Sequence, residues 1–505
     1  MKRKIKEKKM LGPVIAIILL TMITIGLSTT FSLLEIDAEK TEIVRDSLET
    51  SLVTVNNILT KEGIIYVLNN VVKNLQVFEP LFLLIISLIT ISIGEASGLF
   101  KSIFYPFRKI NSKFLTFLTL LVGVSGSILG DYSYVILLPL VAILYKYTGK
   151  KPLLGIMTVF IGITMGYGTG LLYNNEEIVL AKLTETAASL DVDKNFIYLL
   201  KSNMYIMFAS TFILSVVGTF IIHSVLEKRV PKSNIQDDEN IIISKKALYY
   251  SNLAFFLMII ILTYMIIPGL KGSGFLLGEG NSYIERLMGN NSPFKNGLPL
   301  IFLLIVMICG FIYGKISGNI KNSTQYSVGL SKNFEGLGYV FVLLFFTSQF
   351  IGILEWTNLG EVISCKLVTL LTSLPFSGIP LVAMFFLIVI LMSILVPSAV
   401  TKWTIASPLT VPLLMRSNIT PNFSQFIFRA ADGVGKCFTP IYPYYIIMLA
   451  FLEKYNTKEN NKITVFGTFR IMMPALLLFA GLWILIIMGW YIVGLSLGPE
   501  TFSTY

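Results

Sequence analysis

The chain has 505 residues, 54% of them hydrophobic and only 14% charged, with a mean hydropathy of +0.75, which is more apolar surface than one soluble core can hide and places the chain in lipid. A net charge of +11 would suggest nucleic acid in a soluble protein, but here the basic residues sit in short segments between apolar runs. That is a topology signal, and it excludes nucleic-acid binding.

Met1 to Lys9 is basic and leads into an apolar run over 11–33, too long for a signal-peptide core and without a small-residue cleavage site. A retained first helix is predicted. A spanning helix needs roughly 20 apolar residues, and eight further segments qualify: 78–100, 153–173, 200–225, 248–268, 297–316, 336–355, 424–452 and 466–494. Residues 114–147 and 379–415 each hold two shorter apolar stretches, broken at Ser125-Gly126-Ser127 to Asp131 and at Pro397-Ser398 to Lys402. These predict two re-entrant helical hairpins with polar tips, the alternative being a pair of kinked spanning helices. The expected fold is an all-α polytopic membrane protein with about nine transmembrane helices and two hairpins. It divides into a tail and first helix (1–36), an extracytoplasmic loop (37–77), a first transport half (78–226), a cytoplasmic loop (227–247), connecting helices (248–333), a second transport half (334–452) and a last helix with its tail (453–505). Cys309, Cys365 and Cys437 lie in or beside apolar runs and show no metal-ligand spacing. No cofactor is expected.

Flanking charge tests this count. With the N-terminus in the cytoplasm, Lys101, Arg108, Lys109 and Lys113 fall inside, as do Lys146, Lys150 and Lys151, then Lys228, Arg229 and Lys232, then Lys315 and Lys321, and finally Lys454, Lys458 and Lys462. The outer loops run the other way, with eight acids against four bases in 35–79 and five against three in 173–201. The count closes only if 114–147 returns to the side it entered; the second hairpin then enters from outside and the C-terminus is external. The two hairpins also echo one another. Asp131-Tyr-Ser-Tyr134 runs on to Pro139 and Thr401-Lys402-Trp403 to Pro408, and each is followed by a Gly-rich segment, Gly166-Tyr-Gly168-Thr-Gly170 and Gly433-Val-Gly435. Hairpins on opposite sides with this echo predict an inverted repeat of broken helices meeting near the bilayer midplane.

Ionisable groups inside apolar segments mark function by default. Glu95, Asp131, Lys402, Arg429, Asp432 and Lys436 are the ones that cluster. Arg429, Asp432 and Lys436 are spaced three and four apart, so they can share one helix face. They either satisfy one another as an ion-pair ladder or form an anion site, in which Arg429 offers its fork to a substrate carboxylate and Asp432 holds the coupling cation or proton. Ser127, Ser398, Thr401 and the backbone near Pro397 supply oxygens of the kind Na⁺ needs. Trp403 either stacks on an aromatic substrate ring or packs.

Several motifs in order resemble the p-aminobenzoyl-glutamate transporter (AbgT) family over about residues 78–455. They are Gly94-Glu95-Ala-Ser97-Gly98-Leu99; Gly130-Asp131-Tyr-Ser-Tyr134 to Pro139; Ser348-Gln349-Phe350; Trp356-Thr-Asn358-Leu359-Gly360; Ser398-Ala399 to Lys402-Trp403; and Pro421, Gln425, Arg429, Asp432, Thr439-Pro440 and Pro443-Tyr444. The resemblance implies nine spanning helices with two hairpins, usually a homodimer, in the bacterial inner membrane. It implies cation-coupled (Na⁺ or H⁺) movement of p-aminobenzoyl-glutamate, with some members resembling sulfonamide exporters. By the same resemblance Trp403, Pro421, Arg429, Asp432 and Pro440 are transport residues, with Glu95, Gln349 and Asn358 as further intramembrane polar positions. The chain departs from the family pattern in four places. Glu177-Ile178 stands for an aspartate-proline pair, Val400 for a second tip serine, and Lys436 and Ser393 for asparagines. The added cation suggests a more anionic substrate.

A membrane enzyme is disfavoured, because the single histidine, His223, lies near the cytoplasmic end of a helix and no HExxH or GxSxG sits in a span. Paired broken segments favour alternating access over a channel. A transporter of another organic anion, such as a dicarboxylate, remains the alternative.

Overall fold

The computed structural model describes residues 12–44, 47–171, 173, 175–232, 241–335, 337–456 and 463–505. The basic Met1 to Lys9, part of the 227–247 loop, and Lys458 and Lys462 lie outside the described residues. In chain order the helices are α1 (Pro13–Leu33), α2 (Lys61–Gln76), α3 (Glu79–Ala96), α4 (Leu99–Phe104), α5 (Ser112–Ser125), α6 (Tyr132–Tyr147), α7 (Pro152–Met165), α8 (Asn175–Asp191), α9 (Met204–Ile221) and α10 (Lys245–Ile266). They continue with α11 (Tyr283–Met288), α12 (Pro293–Ser317), α13 (Ser323–Ser331), α14 (Gly338–Trp356), α15 (Leu359–Ser373), α16 (Gly378–Leu395), α17 (Ala399–Arg416), α18 (Pro421–Cys437), α19 (Pro443–Lys454) and α20 (Val465–Val493).

Helix starts follow local chemistry. Proline at the first turn opens α1, α3, α7, α12, α18 and α19, where its missing N–H costs nothing. Side-chain caps from Asn111, Ser398 and Thr464 open α5, α17 and α20. Hydroxyls inside apolar helices, such as Ser92, Thr164 and Thr410, donate to the carbonyl four residues back and so carry no unpaired polar group into the core.

Nine helical segments among the described residues are long and apolar enough to cross a membrane. The number matches the sequence reading but the membership does not. The expected spans 153–173 and 424–452 are instead the 14-residue α7 and the pair α18 and α19, broken around Thr439-Pro440. Ser112–Leu129 and Gly378–Leu395, both expected as short hairpin arms, reach 18 residues. A hydropathy window does not see a backbone break, and helices enclosed by other protein have no bilayer thickness to match. Every residue of α7 and α18 is buried, whereas α10 presents Phe256, Leu257, Ile260 and Ile261 outward. The core is thus α7, α18 and α19, with α1, α10, α12 and α20 at the apolar periphery.

Helices α5 and α6 lie antiparallel, with Thr116 and Thr119 near the start of α5 against the Tyr145 hydroxyl near the end of α6, at 3.4 and 3.3 Å. The expected outer loops are more ordered than charge alone suggests. Two strands pair antiparallel, β1 (Asp37–Val44) with β2 (Ser47–Thr54), a small departure from an all-α fold. Lys40 on β1 pairs with Glu42 and, on α15, with Glu361, each at 2.5 Å. Burial alone would lower its pKa, but the two carboxylates outweigh that and hold it above the ordinary lysine value. Residues 173–201 contain α8, packed on α17 and α18. The C-terminal segment joins the same face, where the Leu497 carbonyl accepts from Tyr205 N–H and the Ser503 carbonyl from Thr420 N–H.

The basic segments grouped by the charge rule meet at the opposite end. Glu95, buried at the end of α3, binds Lys146 of α6 at 3.1 Å, Lys454 of α19 at 3.4 Å and the Asn333 amide at 3.0 Å. Lys151 reaches the Glu227 carbonyl nearby. Glu95→Gln leaves two ammonium groups facing one another. It is expected to destabilise the protein by about 1–3 kcal/mol, less than a fully dry pair because both lysines keep some water contact. Detergent-based thermal unfolding of the variant against wild type checks this.

Candidate functional site

Helix α18 crosses the centre of the molecule with Gln425, Arg429, Asp432 and Lys436 at spacings of four, three and four, so one stripe carries all four side chains. Two close approaches hold it there. A Cβ on Gly168, in the segment after α7, would lie 2.6 Å from the Arg429 backbone, and one on Gly435 would lie 2.5 Å from Ser393 Cβ on α16. The Gly-rich segments of the sequence therefore mark where backbones touch.

Arg429 has its fork fully engaged. Its Nε donates to Glu177 Oε1 at 2.7 Å, Nη1 to Glu176 Oε2 at 2.8 Å and Nη2 to the Tyr167 carbonyl at 2.7 Å, while the guanidinium lies 4.6 Å from the centre of the Tyr167 ring. Glu177 also accepts from Gln425 Nε2 at 3.0 Å, and the Gln425 carbonyl lies 2.6 Å from the Thr184 hydroxyl. Thr184 in turn accepts from Trp403 Nε1 at 2.9 Å. One polar chain thus links α17, α8 and α18.

One turn further on, Asp432 Oδ1 takes Lys402 Nζ at 2.5 Å and the Ser393 hydroxyl at 2.9 Å, and Oδ2 pairs with Lys436 Nζ at 2.9 Å. Lys402 Nζ also donates to the carbonyls of Val396 and Pro397, at 2.7 and 3.4 Å, in the unwound stretch between α16 and α17. Tyr167 bridges the two charge groups, since Lys436 Nζ lies 4.0 Å from its ring centre, with Tyr442 at 5.6 Å. Asp131, at the first hairpin tip, joins through long bonds from the Tyr167 and Tyr442 hydroxyls, at 3.4 and 3.5 Å. It also borders a cavity of about 370 Å³ lined with Glu79, Tyr167, Glu176, Asn290 and Lys295. Three cations (Lys402, Arg429, Lys436) face three carboxylates (Glu176, Glu177, Asp432) at hydrogen-bond distance, with Asp131 a fourth carboxylate at the edge of the network.

The structure brings together Arg429, Asp432, Lys436, Lys402, Ser393, Glu177 and, through Thr184, Trp403. Of the two readings of the α18 stripe, the Asp432–Lys436 rung of a ladder is present, but Arg429 turns away from Asp432 to the glutamates of α8. Trp403 is fully buried against Phe385 and Phe428, with ring centres 6.3 and 4.4 Å away. In this conformation its ring packs. Ser398 caps α17 by accepting from Thr401 N–H and, like Thr401, is exposed, so the tip hydroxyls do not converge with Asp432. Ser127 donates to the Thr169 carbonyl and braces the segment after α7.

Pro421 opens α18, and Pro440 lies in the break before α19. Glu95 belongs to the basic end described above. Gln349 ties α14 to α2 through Asn74 and the Val71 carbonyl. Asn358 starts α15 in a left-handed conformation, φ 56°, and reaches the Thr54 carbonyl. Sequence reasoning missed Glu176, Thr184, Tyr167 and Lys295. The adjacent Glu176-Glu177 pair and a tyrosine inside a Gly-rich run were the available signals, but both stood in what read as a loop and a span.

A family model described as "AbgT putative transporter family" matches residues 6–505. The p-aminobenzoyl-glutamate transport protein of Escherichia coli (strain K12) is 26% identical over 453 residues, covering 88% of this chain and 86% of that protein. Among solved structures, the Alcanivorax borkumensis YdaH transporter matches at 25% identity and a TM-score of 0.49, over 97% of this chain and 100% of that one. Neisseria gonorrhoeae MtrF, described with a class of antimetabolite efflux pumps, matches at 24% identity and a TM-score of 0.49, over 98% of each chain. The family match runs over almost the whole length, and with nine candidate spans it makes this a multi-pass inner-membrane transport protein and not an enzyme. The chain belongs to the AbgT family of transporters.

Proposed function

We propose that the protein is a cation-coupled secondary transporter of p-aminobenzoyl-glutamate or related aromatic-amide anions, working either in uptake or in export of sulfonamide-like antimetabolites, and that it does so as a homodimer. The observation that carries this reading is Arg429, a buried guanidinium whose donors are arranged for carboxylates and which stands beside a cavity reaching the surface. Two carboxylates already fill the fork, and they differ. Glu177 is nearly enclosed, with its second oxygen held by Gln425, while the Glu176 side chain is 25% exposed and lines the cavity. A substrate carboxylate takes the place of Glu176 on Arg429, exchanging one anion for another so that the buried charge stays balanced. The same exchange keeps the charge at the fork constant as an anion enters a cavity whose walls include Glu79, Asp131 and Glu176, where Lys295 and the coupling cation offset two of these three acids.

The two arms α5 and α6 pack with buried α7, as α16 and α17 pack with buried α18. This parallel, together with the sequence echo, supports an inverted repeat whose broken segments meet at the site. Light scattering of the detergent-purified protein tests the homodimer.

The substrate assignment is tested by counterflow in proteoliposomes loaded with p-aminobenzoyl-glutamate, offering that compound, a sulfonamide or a dicarboxylate outside. Exchange with the aromatic-amide anion and little with the dicarboxylate is expected; preference for the dicarboxylate would move the assignment to another organic anion. Glu176→Gln, which removes the competing charge but keeps the shape, is expected to lower the apparent KM several-fold. An unchanged KM would contradict the displacement step.

A further inference from the structure

Broken helices bind alkali-metal ions where unwound backbone carbonyls at a half-helix C-terminus face a carboxylate. This protein has such a place, formed by the Val396 and Pro397 carbonyls at the end of α16 and Asp432 Oδ1 on α18. An ammonium group from the chain itself stands in it: Lys402 Nζ lies 2.7, 3.4 and 2.5 Å from those three oxygens. The other carboxylate oxygen, Oδ2, faces a second ammonium, Lys436 Nζ at 2.9 Å, which the Tyr167 and Tyr442 rings enclose at 4.0 and 5.6 Å. The residues Asp432, Lys402, Lys436 and Ser393 are each at most 2% exposed.

We infer that Lys402 and Lys436 are tethered cations that fill the alkali-metal position at Asp432, so that Asp432 binds no Na⁺ in this protein. Each ammonium supplies the charge an ion would bring, and neither can leave. A Na⁺ ion at Oδ1 would have to displace an ammonium from three oxygens, and one at Oδ2 would lie within van der Waals reach of the Lys436 cation and be repelled by it. This inference rests on the transport reading only in that a coupling cation is invoked at all, and it excludes Na⁺ at the Asp432 carboxylate.

The test is the thermal unfolding of the purified full-length protein in NaCl against choline chloride at matched ionic strength, for wild type, Asp432→Asn, Lys402→Ala and Lys436→Asn. Wild type is expected to melt at the same temperature in both salts. Lys402→Ala, which vacates the three-oxygen position, is expected to gain a saturable, Na⁺-specific rise of a few degrees. Should Lys402→Ala fail to fold in either salt, Lys436→Asn carries the same comparison, because it frees Oδ2 and leaves the carbonyl contacts in place. A saturable Na⁺ shift in wild type that Asp432→Asn abolishes would overturn the inference, as would a folded variant with no Na⁺ response. The readout is ion binding alone. A protein that moves no substrate under any gradient would overturn the transport reading and leave this result standing.

Discussion

Arg429→Ala is expected to reduce p-aminobenzoyl-glutamate transport below detection and to destabilise the protein by about 3–5 kcal/mol, the cost of removing one partner from a buried ion pair. The size of the effect comes from what is left behind. Glu177 keeps only Gln425 among the partners described above, and Glu176 and the Tyr167 carbonyl lose their donor. Arg429→Lys is expected not to restore transport, because one ammonium cannot reach two carboxylates and a backbone carbonyl in the directions the planar fork does. Arg429→Ala combined with Glu177→Gln separates the two roles of the residue: removing the stranded charge should recover much of the stability and none of the transport. Thermal unfolding and proteoliposome flux on the same preparations check both parts. Recovery of flux in the double variant would show that Arg429 acts only as a structural counter-ion.

Asp432→Asn should be equally severe, with the opposite sign of stranded charge. Lys402 and Lys436 approach the carboxylate from two sides, so a neutral amide there leaves two buried ammonium groups without a counter-charge. A loss of about 3–5 kcal/mol is expected, together with loss of transport. Adding Lys436→Asn should return part of the stability, since one cation then faces one polar amide. Coupling of this kind between neighbours is measured by a double-mutant cycle of melting free energies. Strict additivity of the two substitutions would contradict the paired geometry.

These two residues were legible in the sequence because charge inside an apolar run is rare enough to stand out, and their spacing of three on one helix placed them on a common face. Their partners were less visible, for reasons particular to each. Arg429 binds α8, which is about 250 positions away in sequence, and no local pattern reports such a pairing. Moreover, α8 reads as an acidic outer loop, since its one buried face against α17 and α18 is too mixed in composition to show a clear apolar stripe. For Trp403 the sequence left stacking on a substrate ring and packing both open, and what separates them in this conformation is a distant partner, Thr184, which satisfies the indole N–H inside the protein.

Nine spans were counted correctly with two members exchanged, because a hydropathy count measures apolar length and not continuity. The apolar run 424–452 contains Thr439-Pro440, where the chain leaves one helix and Pro443 begins the next. The 153–173 run fails in the same way, with α7 ending at Met165 and Gly168 taking a position where any side chain would meet α18. In both places the break is what brings the backbone to the site. A sequence window blind to breaks therefore loses accuracy nearest the functional centre, while peripheral helices such as α1, α12 and α20 fell within a few residues of their expected limits.

The most direct test of transport through the Arg429 site is uptake of radiolabelled p-aminobenzoyl-glutamate into proteoliposomes, with Na⁺ and pH gradients imposed separately and Arg429→Ala as control. Accumulation driven by one gradient in wild type and absent from folded Arg429→Ala is the predicted result. Equal accumulation in both proteins, or none under either gradient with wild-type protein shown to be folded, would contradict it.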